Sequence, residues 1–126
     1  MAVVVGYVPT KEGAAALRRA AAEAAVRGTP LVVLDSARSE DEEQAADARA
    51  QLEQLADQDV SYEVRTVSPG QDATDELLRI AEDESADLLV IGLRRRSPVG
   101  KLILGANAQR ILLDAACPVL AVKPSQ

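Results

Sequence analysis

Five short apolar runs separated by four helix-like stretches are the feature that most restricts what this chain can fold into. Ala2 to Val8 is a continuous β-branched-rich run, Leu31 to Leu34 is a second, and Asp87 to Ile91 and Pro118 to Val122 follow later. Such uninterrupted runs belong to strands covered on both faces, as in parallel sheets. Val60 to Thr66 differs, because Val60, Tyr62, Val64 and Thr66 alternate with polar residues. That pattern predicts a strand with one exposed face, of the kind found at a sheet edge.

Between these runs the helical signals are equally regular. Thr10 to Arg27 reads as a helix capped by Thr10, with Leu17, Ala21 and Ala25 on its buried side and Gly28-Thr29-Pro30 as its stop. Ser39 and Glu42 have the spacing of a capping box, which predicts a second helix to about Asp57 with Ala45, Ala46, Leu52 and Leu55 on its apolar side. The acids Glu40 to Glu43 then favour its positive start and read as a solvated cap, not a metal site. Asp72 caps a third helix running to about Ser85, with Leu77, Leu78, Ile80 and Ala81 inward, and a fourth runs from about Asn107 to Ala115. Strands alternating with helices imply an α/β fold: a five-stranded parallel doubly wound sheet with right-handed crossovers and four helices. At 126 residues the chain has room for one core, so residues 1–126 are read as a single domain.

Composition removes several functions. Tyr7 and Tyr62 are the only aromatic residues, which leaves no platform for stacking bases, and a net charge of −6 repels polyanions, so nucleic acid is not an expected partner. There is no histidine and a single cysteine, Cys117, so no internal disulfide, His-assisted nucleophile or ordinary zinc site can be assembled from one chain. Cys117 itself reads as a small buried residue. The start of the chain lacks a basic leader, and no run approaches the roughly 20 apolar residues of a membrane span. The expectation is a cytoplasmic chain without a membrane partner.

Against this acidic background one segment is wholly basic. From Ile91 to Leu113 the chain carries Arg94, Arg95, Arg96, Lys101 and Arg110 and no acid, leaving 20 acids against nine bases, a net −11, elsewhere. The segment follows an apolar strand and passes through Gly105, Ala106 and Asn107 into a helix. A strand, a glycine-containing loop and a helix start together present backbone N–H groups and a positive dipole end to an anion. In a doubly wound sheet ligands bind beyond the carboxyl ends of the strands, where the order reverses. That arrangement sets Val8, Pro9 and Thr10 beside Gly92 and the basic loop. Two readings of Arg94 to Arg96 stand at this point: a phosphate clamp, or a solvated loop whose charges balance acidic helices.

The ordered set VVVGYVPTKEGAAAL and ADLLVIGLRRRSPVGKLILGANAQRILLDAACPVLAVK resembles the universal stress protein family over the whole chain. The family's loop pattern, G-x2-G-x9-G-[S/T] before a last strand of the C-P-V-L type, is met by Gly92, Gly105 and CPVLAV. The resemblance implies strand order 3-2-1-4-5 in an adenine-nucleotide alpha-hydrolase-like fold and a cytoplasmic homodimer joined through its last strands. In some members it also implies ATP or AMP bound between the first and fourth strand ends. On that reading the binding residues are Val8, Pro9, Thr10, Gly92, Arg94, Arg95, Arg96, Gly105, Ala106 and Asn107, with no metal ligand.

Three positions depart from the nucleotide-binding pattern. Arg95 stands at the second glycine, Ala106 at the hydroxyl residue and Val8 at an acid that many relatives place after the first strand. Arg95 lacks glycine's backbone freedom, Ala106 has no hydroxyl for a phosphate, and Val8 offers no polar contact to adenosine or magnesium. Asn107 as a replacement helix cap, the N–H groups of Gly105 to Asn107 and the three arginines are the available compensation. A stress-response dimer that binds a phosphorylated ligand and a dimer that works through protein contacts alone are therefore the two principal readings. A signalling receiver is a remote third: Lys123-Pro124 suits it, but Val8-Pro9 and Ser68-Pro69-Gly70 stand where its acids belong. A slow ATPase is a fourth, with phosphate positioning as its only visible resource. The apolar last strand, Val119 to Val122, invites pairing with a second copy.

Overall fold

Val3, Val4 and Val5 are completely buried, so both faces of the first strand are covered by protein. The computed structural model describes residues 1–8, 10–35, 50, 53–54, 60–93 and 105–124. Its elements in chain order are β1 (Val3–Tyr7), α1 (Lys11–Arg27), β2 (Leu31–Asp35), β3 (Tyr62–Thr66), α2 (Ala73–Asp83), β4 (Leu88–Gly92), α3 (Ala106–Asp114) and β5 (Val119–Val122). Three helices are described in full where four were expected. Of the expected helix from Ser39 to about Asp57, only Ala50, Glu53 and Gln54 are described, and these are helical. Its apolar side, Ala45, Ala46, Leu52 and Leu55, lies outside the described residues.

The five strands form one parallel sheet in the order β3-β2-β1-β4-β5. Register places Val3 opposite both Leu31 and Leu88, so β1 lies at the centre and is bonded on each side. Alternate residues of each strand then face opposite layers. Val3, Val5 and Tyr7 join Leu31, Val33, Leu88 and Val90 against α1, whereas Val4, Val32, Leu34, Leu89 and Ile91 meet Leu77 and Ile80 of α2 and Ile111 of α3. Helices on both faces of a parallel sheet are what uninterrupted apolar strands require.

Local chemistry explains the element ends. The Thr10 hydroxyl accepts the Gly13 N–H at 3.1 Å, and Asp72 accepts the Thr74 N–H at 2.7 Å, so both helices are capped as expected. Gly28 closes α1 in the left-handed conformation at φ 66°, with its N–H directed to the last turn. The buried residues of α1 are Gly13, Ala15, Ala16, Leu17, Ala20, Ala21 and Ala24; Ala25, expected inward, is exposed. A spacing of four throughout drifts off a 3.6-residue turn, and by the second step the inward residue is one earlier.

At the sheet margins the reading needs further correction. β3 is an edge strand as expected, but Tyr62 and Val64, its supposed inner residues, are 40% and 41% exposed. Arg65 reaches from this strand to Glu84 beyond α2, and its Nε lies 3.1 Å from Glu63. Cys117 is half-buried rather than enclosed, packed beside the α2–α3 layer. No helix among the described residues is long and apolar enough to cross a membrane.

Candidate functional site

Parallel strands require each crossover helix to run antiparallel to them, so α1 and α3 both begin at the carboxyl edge of the sheet. The first turn of α1 lies against the place where β1 and β4, neighbours in space but far apart in sequence, end side by side. β1 connects leftward to β2 while β4 connects rightward to β5, which makes this the switch point of the sheet. α1 and α3 pack on opposite faces of the sheet, the arrangement in which doubly wound folds form a ligand crevice at the switch point.

The β1 side is built by a tight reversal. Val8 follows the strand with 37% of its surface exposed, and its carbonyl accepts the Thr10 N–H at 2.8 Å. Thr10 then starts α1, using its side-chain oxygen on Gly13 while its own hydroxyl proton stays free to rotate toward a ligand. On the β4 side Gly92 ends the strand, and the Leu93 N–H still bonds the Val122 carbonyl at 2.7 Å. The chain thus remains fixed to β5 up to the point where it departs from the sheet.

Two glycines bring these sides together. A Cβ at Gly13 would intrude on the Val8 carbonyl, 2.8 Å from its carbon and 2.9 Å from the Val8 Cγ2. A Cβ at Gly92 would likewise intrude on the Glu12 carbonyl, 2.7 Å from its carbon and 3.1 Å from the Glu12 Cβ. The first turn of α1 accordingly rests against the end of β1 through Gly13 and against the end of β4 through Glu12. Gly92 was legible from the loop pattern. Gly13 was missed, although a glycine set in an alanine-rich helix costs about 1 kcal/mol and so signals a packing need.

The start of α3 lies at the same carboxyl edge of the sheet. Gly105 is its N-cap in extended backbone, φ −66° and ψ 161°, and makes no side-chain cap bond. Asn107 is therefore not the cap that the sequence suggested; it lies inside the first turn and is exposed, as is Ala106. Glycine supplies the backbone bend while leaving the first-turn N–H groups without a competing side-chain oxygen. Among the described residues a Cβ at Gly105 would meet nothing within 4 Å.

Pro9 and Arg94, Arg95 and Arg96 lie outside the described residues. The fifth base of the positive segment, Arg110, is turned elsewhere: its guanidinium pairs with Asp75 at the start of α2, and its Nε lies 3.8 Å from Asp114. It reinforces the α2–α3 layer and takes no part in the crevice. Among the described residues no cluster of three or more His, Cys, Asp or Glu is placed to hold a metal.

Comparison with known proteins agrees with this fold. The model of the Universal stress protein family matches residues 1–123. A universal stress protein of Mycolicibacterium smegmatis is 44% identical over 127 residues, covering 97% of each chain. Among solved structures, a universal stress protein from Archaeoglobus fulgidus is similar with a TM-score of 0.73 and 30% identity, covering 98% of each chain. The universal stress protein from the same organism in complex with dAMP is similar with a TM-score of 0.74 and 25% identity, again over 98% of each chain.

Proposed function

Because this chain belongs to the universal stress protein family, we propose that it is a single-domain, non-catalytic cytoplasmic member, residues 1–126, that binds an adenine nucleotide in the crevice between β1 and β4. The observation that carries the reading is the switch point itself, where β1 and β4 end side by side against the glycine-tightened first turn of α1, with the start of α3 at the same edge of the sheet. Helix starts stabilise phosphate through unpaired N–H groups and the positive dipole end. The dAMP complex of the Archaeoglobus fulgidus relative supports a monophosphate as the ligand class.

In this reading the phosphate lies on the N–H groups of Gly105, Ala106 and Asn107, where Arg94, Arg95 and Arg96 supply charge. Val8, Pro9, Thr10 and Gly92 bound the nucleoside, with Val8 giving an apolar wall and Thr10 a hydroxyl donor. No metal is needed for a monophosphate held in this way. With no histidine in the chain, a general base for hydrolysis would have to come from another residue type, which supports binding without turnover. β5 is a half-buried edge strand, bonded to β4 alone among the described residues, and we assign it as the surface through which two copies pair.

A reading in which the dimer works through protein contacts alone is favoured by the absent hydroxyl at Ala106 and the missing acid at Val8. Isothermal titration of refolded, nucleotide-free protein with AMP and with magnesium-ATP separates the two. Saturable AMP binding, weakened by Arg95→Ala, is expected; no heat from a correctly folded protein would leave the protein-contact reading. Light scattering at micromolar concentration should give twice the 13.3 kDa chain mass, and the monomer mass would refute pairing through β5.

A further inference from the structure

Gly13 and Gly92 are contacts in one mechanical chain: Val8 carbonyl against Gly13, then Glu12 carbonyl against Gly92. Both meetings are backbone on backbone, so neither can be relieved by a side-chain rotamer. The residues between them, Glu12 and Gly13, are adjacent in the first turn of α1 and share its rigid hydrogen-bonded frame, which the Ala14 N–H bond to Thr10 closes at 2.9 Å. Behind this turn α1 is seated on the sheet by Ala16, Leu17 and Ala20, all essentially inaccessible. The turn is thus held from three sides.

We propose that Gly13 and Gly92 act together as positioning residues, clamping the first turn of α1 between the ends of β1 and β4 and so fixing the width of the crevice. A methyl group at either position must move backbone by about 1 Å or more to restore an ordinary 3.4 Å contact with the facing carbonyl oxygen. Since α1 lies on one face of both strands, the turn relieves either clash by lifting off the sheet. The same movement makes room at the second glycine. The two positions are therefore coupled, and the crevice loses its fixed wall when either is changed. The effect on ligand affinity rests on the nucleotide-binding reading above; the mechanical coupling does not.

The test uses Gly13→Ala, Gly92→Ala, the double variant and Gly28→Ala. Gly28 sits in the left-handed conformation at the far end of α1, where alanine strains the backbone without approaching the crevice. Amide NMR shifts and urea unfolding are measured without ligand, and AMP affinity by titration. Gly13→Ala should shift the amides of Gly92 and Leu93, and the double variant should lose less stability than the single losses combined, as for coupled sites. Each crevice variant should bind AMP about tenfold or more weakly, the loss of roughly 1.4 kcal/mol of positioned contact. Gly28→Ala should keep the parental affinity. Unmoved Gly92 and Leu93 amides, or additive stability losses, would overturn the clamp. Parental AMP affinity in both crevice variants would show that the clamp does not govern the site. If the parent protein binds no AMP, the nucleotide reading fails while the shifts and the stability cycle still decide the coupling.

Discussion

Replacing Leu17 by alanine should cost about 3–4 kcal/mol, and the reason lies in how α1 is built. Every other buried residue of that helix is glycine or alanine, so Leu17 is the one bulky side chain it contributes to the core. It is 1% exposed and packs in the layer formed by Val3, Val5, Tyr7, Leu31, Val33 and Val90. Leucine-to-alanine changes in cores span about 2.7–5.0 kcal/mol, and the cost rises with the cavity that remains. Here the flanking alanines have no side chain with which to fill the gap, and the strand residues are held in register by ladder bonds. The site cannot collapse fully, which places the loss above the bottom of that range. At about 4 °C per kcal/mol for a domain of this length, the melting temperature should fall by roughly 10–15 °C. Urea unfolding followed by far-ultraviolet circular dichroism, at two protein concentrations to separate any dimer contribution, measures the change. Leu113→Ala is the matched control: the same atoms are removed from a side chain that is 83% exposed, and the change should stay within about 0.5 kcal/mol. A Leu17→Ala loss below about 1 kcal/mol would refute the seating of α1 and, with it, the wall that α1 gives the crevice.

Asp72→Ala removes the oxygen that accepts the Thr74 N–H at 2.7 Å, and should cost about 1 kcal/mol by chemical denaturation; Asp72→Ser should recover most of it. The Cys117 thiol is held above its ordinary range, first by burial and then by the negative charge of Asp87. Its alkylation by iodoacetamide at pH 8 should therefore be slower than that of a free cysteine, with the rate still rising where the free thiol has levelled off. Because the folded pKa is raised, the contribution of this group to stability is fully present below the pKa of the unfolded thiol and is lost as the pH rises through the folded value. A Cys117→Ala variant should show a smaller decline in that alkaline window.

Much of the fold was readable because parallel α/β architecture writes its layers into the chain. Continuous β-branched runs, the cap residues Thr10 and Asp72 and the stop at Gly28 each state a local requirement, and each lies where the sequence placed it, within a residue or two. The errors fall where the outcome depends on neighbours distant in sequence. Tyr62 and Val64 are exposed because an edge strand is covered only as far as another layer extends over it. The site divides in the same way: Gly92 and Gly105 were visible as spacing, whereas the capping role assigned to Asn107 failed once Gly105 proved to be the helix boundary.

By itself, then, the sequence determined the alternation of strands and helices, the two-sided burial of the central strands and the presence of a basic, glycine-containing segment after the fourth strand. These are consequences of side-chain chemistry repeated at a fixed local period. Only the tertiary structure decided that Arg110 is matched to Asp75 across α2 and α3 instead of serving an anion, and that Gly13 meets Val8 while Gly92 meets Glu12. Those pairings depend on where three separate elements come to rest against one sheet. No local pattern encodes such a distance; it is set by the packing of the whole layer, and the crevice between β1 and β4 exists only once that packing is complete.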